Sequence, residues 1–141
     1  MQKIKVVIAE DWPDWWKLLE ICLKHKGLEM VRAGDGRQAM QMIEESSPDL
    51  LITDIGMPQM DGITLIREIR DREALTGTSK PLPIIAMSAS PAEILSGAIK
   101  AGAAYAFGKT FDEIERLKTI IKGLFPKSAY ALCCLAASIC C

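Results

Sequence analysis

Short apolar segments alternate five times with segments whose apolar residues recur at helical spacing, and few folds are compatible with this alternation. We predict strands over 4–9, 29–33, 49–54, 83–87 and 104–107 and helices over 13–26, 36–46, 63–72, 91–101 and 111–124. Strands that alternate with helices favour an α/β fold, in which a parallel sheet is covered by helices on both faces. The 141 residues, half of them apolar, are enough for about one domain.

The charges are balanced, with 17 basic and 18 acidic residues and a net charge of −1. This balance indicates no electrostatic surface for nucleic acid or for an anionic membrane, so we expect a protein partner. No signal peptide is visible, and no apolar run reaches the ~20 residues of a membrane span. The expected location is therefore cytoplasmic.

Acidic residues end two of the predicted strands. Asp54 ends the apolar run 49–54, and the pair Glu10-Asp11 follows the first run. Open α/β sheets place their chemistry at the carboxyl ends of parallel strands, so these three carboxylates are expected to converge. A hard divalent cation would neutralise such a cluster.

Two further polar residues lie at strand ends, Ser88 after the fourth strand and Lys109 after the fifth. A turn of the form Asp-x-x-Met-Pro-x-x-Asp-Gly runs from Asp54 to Gly62. With the acid pair, this set closely resembles the receiver domain of two-component response regulators, over roughly residues 3–125. The resemblance implies a flavodoxin-like three-layer sandwich, with five helices around a five-stranded parallel sheet in the order 2-1-3-4-5.

The same resemblance implies that Asp54 accepts a phosphoryl group from a phosphohistidine on a sensor histidine kinase or a histidine phosphotransfer protein. Lys109 would pair with one phosphoryl oxygen, and the Ser88 hydroxyl would hydrogen-bond another. The domain would assist only its own phosphorylation and dephosphorylation and pass the signal to a downstream protein.

Magnesium is the cofactor that the resemblance implies. Asp11, Asp54 and the backbone carbonyl of Gly56 would bind it directly, and Glu10 would reach it through water. This set suits magnesium, which prefers oxygen ligands, retains several waters and uses few carboxylates together with phosphate.

The chain departs from the family pattern at two positions. Thr110 follows Lys109 where the family usually has a proline in a cis bond. A non-proline cis bond costs roughly 3 kcal/mol, which favours a trans peptide and a slightly repositioned lysine, but the sequence leaves the isomer open. Ala106 occupies the position of an aromatic residue that usually rotates on phosphorylation. Tyr105 and Phe107 flank it, but alternation along a strand directs both to the opposite face, so an aromatic switch is not expected.

Each site residue also has a structural interpretation. Glu10-Asp11 could cap the first helix, Ser88 could cap the fourth, and a single lysine such as Lys109 is usually solvated. Their joint occurrence favours a functional site. His25, beside Lys24 and Lys26, is expected to be a solvated residue at a helix end.

Three tryptophans, Trp12, Trp15 and Trp16, follow the acid pair. Trp12 and Trp16 fall on one helical stripe and Trp15 on the adjacent one. The helix cannot pack both of these stripes against the sheet at the same time. We therefore expect Trp12 or Trp15 to be partly exposed near the site.

Three other functions are less favoured. A magnesium-dependent phosphohydrolase with an aspartate nucleophile usually has a second aspartate two residues later, where this chain has Gly56. A dinucleotide-binding domain would need a glycine-rich fingerprint after the first strand. A receiver-like module that no longer takes phosphate is disfavoured because all five site positions are filled. The sequence leaves open a stand-alone regulator or a receiver cut from a larger protein.

Residues 126–141 form an apolar tail outside the predicted receiver domain, which spans 1–125. Four of the five cysteines lie in its last nine positions, at spacings that match neither a disulfide framework nor a zinc site. Four interpretations stand: packing on its own domain, a homodimer contact, a lipid-modified end, or disorder. Association or disorder is favoured, because exposed apolar surface promotes self-contact.

Overall fold

A computed structural model of the chain describes residues 3–25, 27–89 and 92–132. Its strands are β1 (Ile4–Ala9), β2 (Leu28–Ala33), β3 (Leu50–Asp54), β4 (Ile84–Ser88) and β5 (Tyr105–Gly108). Its helices are α1 (Pro13–Leu23), α2 (Gly36–Ser46), α3 (Gly62–Thr76), α4 (Ala92–Ala101) and α5 (Phe111–Leu124). The predicted alternation of strands and helices is confirmed.

All strand pairs of the sheet are parallel, and the strand order is β2-β1-β3-β4-β5. This is the predicted order. The chain moves outward from β1 to β2 and then returns to the other side of β1 to form β3. The carboxyl ends of β1 and β3 therefore flank the point where the winding direction changes, which is where such sheets bind ligands.

Alternate residues of the central strands supply two cores, one on each face of the sheet. Ile8 and Ile52 point toward α1 and α5, whereas Val7 and Leu51 point toward the other helices. The period of two along a strand produces this division. Since both faces are covered, β3 is buried along its whole length, which explains its nearly continuous apolar sequence.

Two helix ends differ from the prediction. Helix α1 ends at Leu23, three residues early, and α3 continues to Thr76, where Gly77 adopts a left-handed conformation. Glycine favours this conformation and commonly ends helices in this way. Among the described residues, no helix is long and apolar enough to cross a membrane.

The prediction that His25 is a solvated helix-end residue is wrong. His25 lies beyond α1, is half-buried, and accepts a hydrogen bond at Nδ1 from the backbone N–H of Gly27 (2.9 Å). Its ring meets Tyr130 edge to face, with 5.1 Å between ring centroids. A contact made across more than 100 residues of chain has no local signature in the sequence.

The described part of the tail packs on the domain. Residues 129–132 are helical, and Tyr130, which is only 3% exposed, joins the core beneath α1 and α5. Gly27 permits this close approach, because a Cβ there would lie 2.6 Å from the backbone nitrogen of Tyr130. The predictions concerning the four terminal cysteines fall on residues outside the described part.

Candidate functional site

The register of β1 and β3 places the predicted acidic residues side by side. Ala9 pairs with Thr53, so Glu10 and Asp54 follow at the same edge of the sheet. Carboxylate oxygens of Glu10, Asp11 and Asp54 lie within 4.8 Å of one another. Glu10 and Asp54 are buried, whereas Asp11 is exposed. The cluster therefore has one open side, through which a ligand can approach.

Lys109 extends from the end of β5 into this cluster. Its Nζ is 2.7 Å from Oε2 of Glu10 and 3.2 Å from Oδ2 of Asp54, and its side chain is only 6% exposed. The backbone N–H of Lys109 donates to the carbonyl of Ser88 (3.0 Å), which anchors the lysine to β4. The interpretation of Lys109 as a solvated surface residue is therefore wrong.

Burial raises the pKa of both buried carboxyl groups. For Glu10, desolvation raises the pKa, and hydrogen bonds from Lys109 and from the backbone of Trp12 partly offset it. For Asp54, desolvation again dominates, the ammonium of Lys109 lowers the pKa, and the charge of Asp11 raises it. One lysine thus incompletely compensates two buried carboxylates, and a bound cation would stabilise their charged forms.

Backbone amides orient both buried carboxylates. Ile55 N–H donates to Oδ1 of Asp54 (2.8 Å), and Trp12 N–H donates to Oε1 of Glu10 (2.9 Å). In each case the second oxygen is left facing Lys109. Helix α1 begins after Trp12 without a side-chain capping bond, so the interpretation of the acid pair as a side-chain helix cap is not supported.

Ser88 is the last residue of β4 and is buried. Its register partner on β5 is Gly108, immediately before Lys109, so the hydroxyl-bearing residue and the lysine lie on adjacent strand ends. Residues 90 and 91, which precede α4, lie outside the described part. The alternative role of Ser88 as a cap of that helix therefore stays untested.

The loop after β3 is held close to the site by a glycine. The N–H of Gly62 donates to the carbonyl of Ile55 (2.8 Å), and a Cβ on Gly62 would overlap the carbonyl oxygen of Asp54. Asp61 caps α3 by accepting from Thr64 N–H (2.8 Å). Gly56, two residues after Asp54, is exposed, with no atom within 4 Å of where its Cβ would be, so a larger side chain has room at this position.

Arg32 is a site residue that the sequence did not reveal. Its Nε donates to the carbonyl of Glu10 (3.1 Å) and its Nη2 to the carbonyl of Asp11 (3.3 Å). Arg32 pairs in register with Ile8, so it lies beside the loop that carries both acids. The only feature of the sequence that could have indicated this role of Arg32 was its position as a cationic residue near the carboxyl end of the strand next to β1.

The predicted exposure of a tryptophan near the site is confirmed, since Trp12 is 53% exposed and Trp15 only 7%. The peptide between Lys109 and Thr110, whose isomer the sequence left open, is trans. On β5, Phe107 packs in the core beneath α1 and α5, and Tyr105 stacks on it, with 6.2 Å between ring centroids.

Ala106 packs in the opposite core, with residues of α4. The two flanking rings therefore lie on the other face of the sheet, as the alternation predicted. A ring-based switch at position 106 is absent because alanine has no ring to rotate.

Comparison with known proteins identifies the family to which the chain belongs. The family model of the response regulator receiver domain matches residues 6–122. A probable chemotaxis protein CheY of Rhizobium etli is 33% identical over 125 residues, which are 88% of this chain and 94% of that protein. The transcriptional regulatory protein TrcR of Mycobacterium tuberculosis is 27% identical, over 90% of this chain and 47% of that protein. Such relatives include both short and larger proteins.

Solved structures show the same fold. A putative response regulator from Chloroflexus aurantiacus superposes with a TM-score of 0.77 at 30% identity, over 89% of this chain and all of that one. The receiver domain of Ssk1, crystallised with the histidine phosphotransfer protein Ypd1 of Saccharomyces cerevisiae, gives a TM-score of 0.75 at 25% identity, over 86% of this chain and 88% of that chain. The chain therefore belongs to the response regulator receiver domains, the phospho-accepting signalling domains of two-component systems.

Proposed function

We propose that Asp54 is the phosphoacceptor of this receiver domain. The observation that carries the proposal is the placement of one buried ammonium, Lys109, between Asp54 and Glu10 at the carboxyl edge of the sheet. A lysine with only a structural role would add little net stability at this position, because burying three charged groups carries a large desolvation penalty. A site that must stabilise added negative charge on Asp54 accounts for it.

The proposed reaction is transfer of a phosphoryl group from a phosphohistidine. A carboxylate oxygen of Asp54 attacks phosphorus, the phosphorus–nitrogen bond breaks, and its electron pair returns to the imidazole of the donor. Little proton transfer is needed, so positioning and neutralisation of the phosphoryl oxygens supply most of the rate enhancement. Lys109 is proposed to pair with one of these oxygens, and the hydroxyl of Ser88 to donate a hydrogen bond to another.

The acidic cluster fits magnesium. All its donors are oxygen atoms, they converge within 4.8 Å, and two of them are carboxylates whose pKa burial has raised. Asp11, Asp54 and the carbonyl of Gly56 are proposed as direct ligands, with Glu10 acting through water. When bound, the ion would neutralise charge on the transferred group and on the carboxylates.

The proposed phosphodonor is a histidine kinase or a histidine phosphotransfer protein, and the proposed recipient of the signal is a downstream protein. Support comes from the receiver domain of Ssk1, which was crystallised with a histidine phosphotransfer protein. In this scheme the domain acts only on its own aspartate and has no separate substrate.

Incubation with acetyl phosphate and magnesium, followed by intact-mass measurement, tests the proposal. One phosphoryl group should be added to the wild-type chain and to Asp71→Asn, a control at an exposed position of α3. Asp54→Asn should gain none, and removal of magnesium with a chelator should prevent uptake. Uptake by Asp54→Asn, or uptake that needs no divalent cation, would rule out the assignment.

The ligand assignment has a separate test. Asp11→Asn should reduce magnesium affinity more than Glu10→Gln, because Asp11 is proposed to bind the ion directly and Glu10 only through water. Isothermal titration of each variant with magnesium measures this difference. Equal losses, or a greater loss in Glu10→Gln, would contradict the proposed ligand set.

A further inference from the structure

Two indole rings lie next to the ammonium of Lys109. Nζ is 6.0 Å from the ring centroid of Trp12 and 5.8 Å from that of Trp15. A cation over the face of an aromatic ring is attracted by the quadrupole of the ring, and indole gives the strongest such attraction among the aromatic side chains. Lys109 therefore contacts two carboxylates and two rings at once.

The start of α1 places both rings. Trp12 is the N-cap residue of α1, and Trp15 follows three residues later in the first turn, so the two side chains are neighbours at this end of the helix. The backbone N–H of Trp12 donates to Oε1 of Glu10 (2.9 Å), while Oε2 of the same carboxylate pairs with Lys109 (2.7 Å). Glu10 thus joins the lysine to the segment that carries the rings.

Core packing alone does not explain an indole at position 15. Trp15 does belong to the core cluster with Leu19 and Leu23. Its Nε1 is buried, however, and has no hydrogen-bond partner among the residues that the structure describes. An unsatisfied buried donor is unfavourable, and a purely hydrocarbon side chain would avoid this cost. The attraction between the face of the Trp15 indole and the ammonium of Lys109 would offset the cost of the unsatisfied Nε1 donor.

We propose that Trp12 and Trp15 are positioning residues that hold the Lys109 ammonium beside Asp54 before a phosphoryl group arrives. This inference rests on the proposed phosphoryl transfer at Asp54. A lysine side chain is flexible, so fixing it in advance removes an ordering cost from the reaction.

The rings can hold Lys109 in a state in which the carboxylates cannot. Glu10 and Asp54 are partners of Lys109, and they are also members of the cluster proposed to bind magnesium. When magnesium binds Glu10 and Asp54, the negative charge of these carboxylates is shared between the metal ion and the ammonium, so each carboxylate attracts the ammonium less strongly. The rings have no oxygen to offer the ion, so their contact with Lys109 is not subject to this competition.

The test compares Trp12→Leu, Trp12→Phe and Trp16→Leu for their affinity for beryllofluoride in saturating magnesium, by ¹⁹F NMR. Beryllofluoride binds an aspartate carboxylate as a small phosphoryl mimic, so no partner protein enters the measurement. Trp12 is exposed, and its replacement leaves the core intact. Trp16 is the matched control, an indole on the same helix, packed at the edge of the same core.

Trp12→Leu should weaken binding about twofold to fivefold, as expected for one exposed cation–π contact. Trp12→Phe should lie between this variant and wild type, and Trp16→Leu should match wild type. Trp15→Phe, which keeps a ring in the buried position, should also weaken binding. Unchanged affinity in Trp12→Leu, or equal losses in Trp12→Leu and Trp16→Leu, would overturn the proposal.

Side-chain NMR gives a second readout. Ring currents should shift the Cε protons of Lys109, assigned by their loss in Lys109→Met, and Trp12→Leu but not Trp16→Leu should reduce the shift. A shift unaffected by Trp12→Leu would show that this ring does not hold the lysine. Failure of the proposed function is recognised separately, because Asp54→Asn would then still bind beryllofluoride.

Discussion

Lys109→Met should destabilise the protein strongly at neutral pH. Methionine keeps an unbranched apolar side chain but removes the ammonium that lies 2.7 Å from Glu10 and 3.2 Å from Asp54. Burial already raises the pKa of both carboxyl groups, and Lys109 is the cation that opposes this effect. The variant therefore leaves two buried carboxylates next to each other, with no other partner cation in the part of the chain that the structure describes.

Breaking a buried ion pair by removing one member costs about 3–5 kcal/mol. A buried carboxylate that has lost its partner cation can limit this cost by taking up a proton. At pH 7, protonation from an ordinary pKa of 3.8 costs about 4.4 kcal/mol for Asp54, and from 4.5 about 3.4 kcal/mol for Glu10. A loss of about 3–5 kcal/mol in the free energy of unfolding at pH 7 is thus expected.

The loss should depend on pH in a defined direction. Removing the ammonium raises the folded-state pKa of Glu10 and Asp54 further above the unfolded values. For an acid with a raised folded pKa, stability is highest below the unfolded pKa and falls as pH rises through the folded pKa. The difference between variant and wild type should therefore be small near pH 4 and increase toward neutrality.

Urea unfolding of both proteins between pH 4 and pH 8 measures this difference. Lys118→Met is the control, because Lys118 pairs at 2.8 Å with Glu115, a side chain that is 75% exposed. Such a surface pair contributes less than about 1 kcal/mol. A loss in Lys109→Met that is also below about 1 kcal/mol, or that stays constant from pH 4 to pH 8, would show that Lys109 does not stabilise the two buried carboxylates.

Three further predictions concern backbone and tail. Gly62→Ala should lower the free energy of unfolding by about 1–3 kcal/mol and slow phosphoryl uptake, because its Cβ would displace the carbonyl of Asp54; unchanged urea unfolding would contradict this. Gly56→Met should slow loss of phosphate from the phosphorylated chain, because a larger side chain fits there and excludes water; unchanged or faster decay would argue against it. Truncation after Lys127 removes buried Tyr130 and should cost about 1.5–3 kcal/mol, while phosphoryl uptake survives. The homodimer interpretation is tested by measuring the molecular mass of the intact chain and of the truncated chain in solution, with reductant present. If both chains are monomeric, the homodimer interpretation is wrong.

Local patterns were sufficient to predict the elements of this fold. Short apolar runs predicted the strands, and helical spacing of apolar residues predicted the helices, because both patterns follow from backbone geometry. The position of Asp54 at the end of a buried strand predicted its place at the sheet edge for the same reason. The roles of the site residues in phosphoryl and metal binding all stay predictions: Asp54, Lys109 and Ser88 for the phosphoryl group, and Glu10, Asp11, Asp54 and Gly56 for the metal.

Contacts between distant segments could not be predicted in the same way. His25 was expected to be solvated because its neighbours are lysines, but it contacts Tyr130 from the tail. Arg32 was overlooked because only the pairing of β2 with β1 places it beside the carbonyls of Glu10 and Asp11. The division between a domain over 1–125 and a tail over 126–141 also stays a prediction, although Tyr130 packs on the domain.

The order and spacing of residues along the chain were enough to predict the alternation of strands and helices and the set of polar residues at the strand ends. The position of the Lys109 ammonium between two buried carboxylates and beside two indoles became visible only in the folded chain. Those distances depend on the register of β1 with β3 and on the packing of α1 against the sheet. Register and packing arise from the interactions of residues far apart in the sequence, which no local spacing encodes.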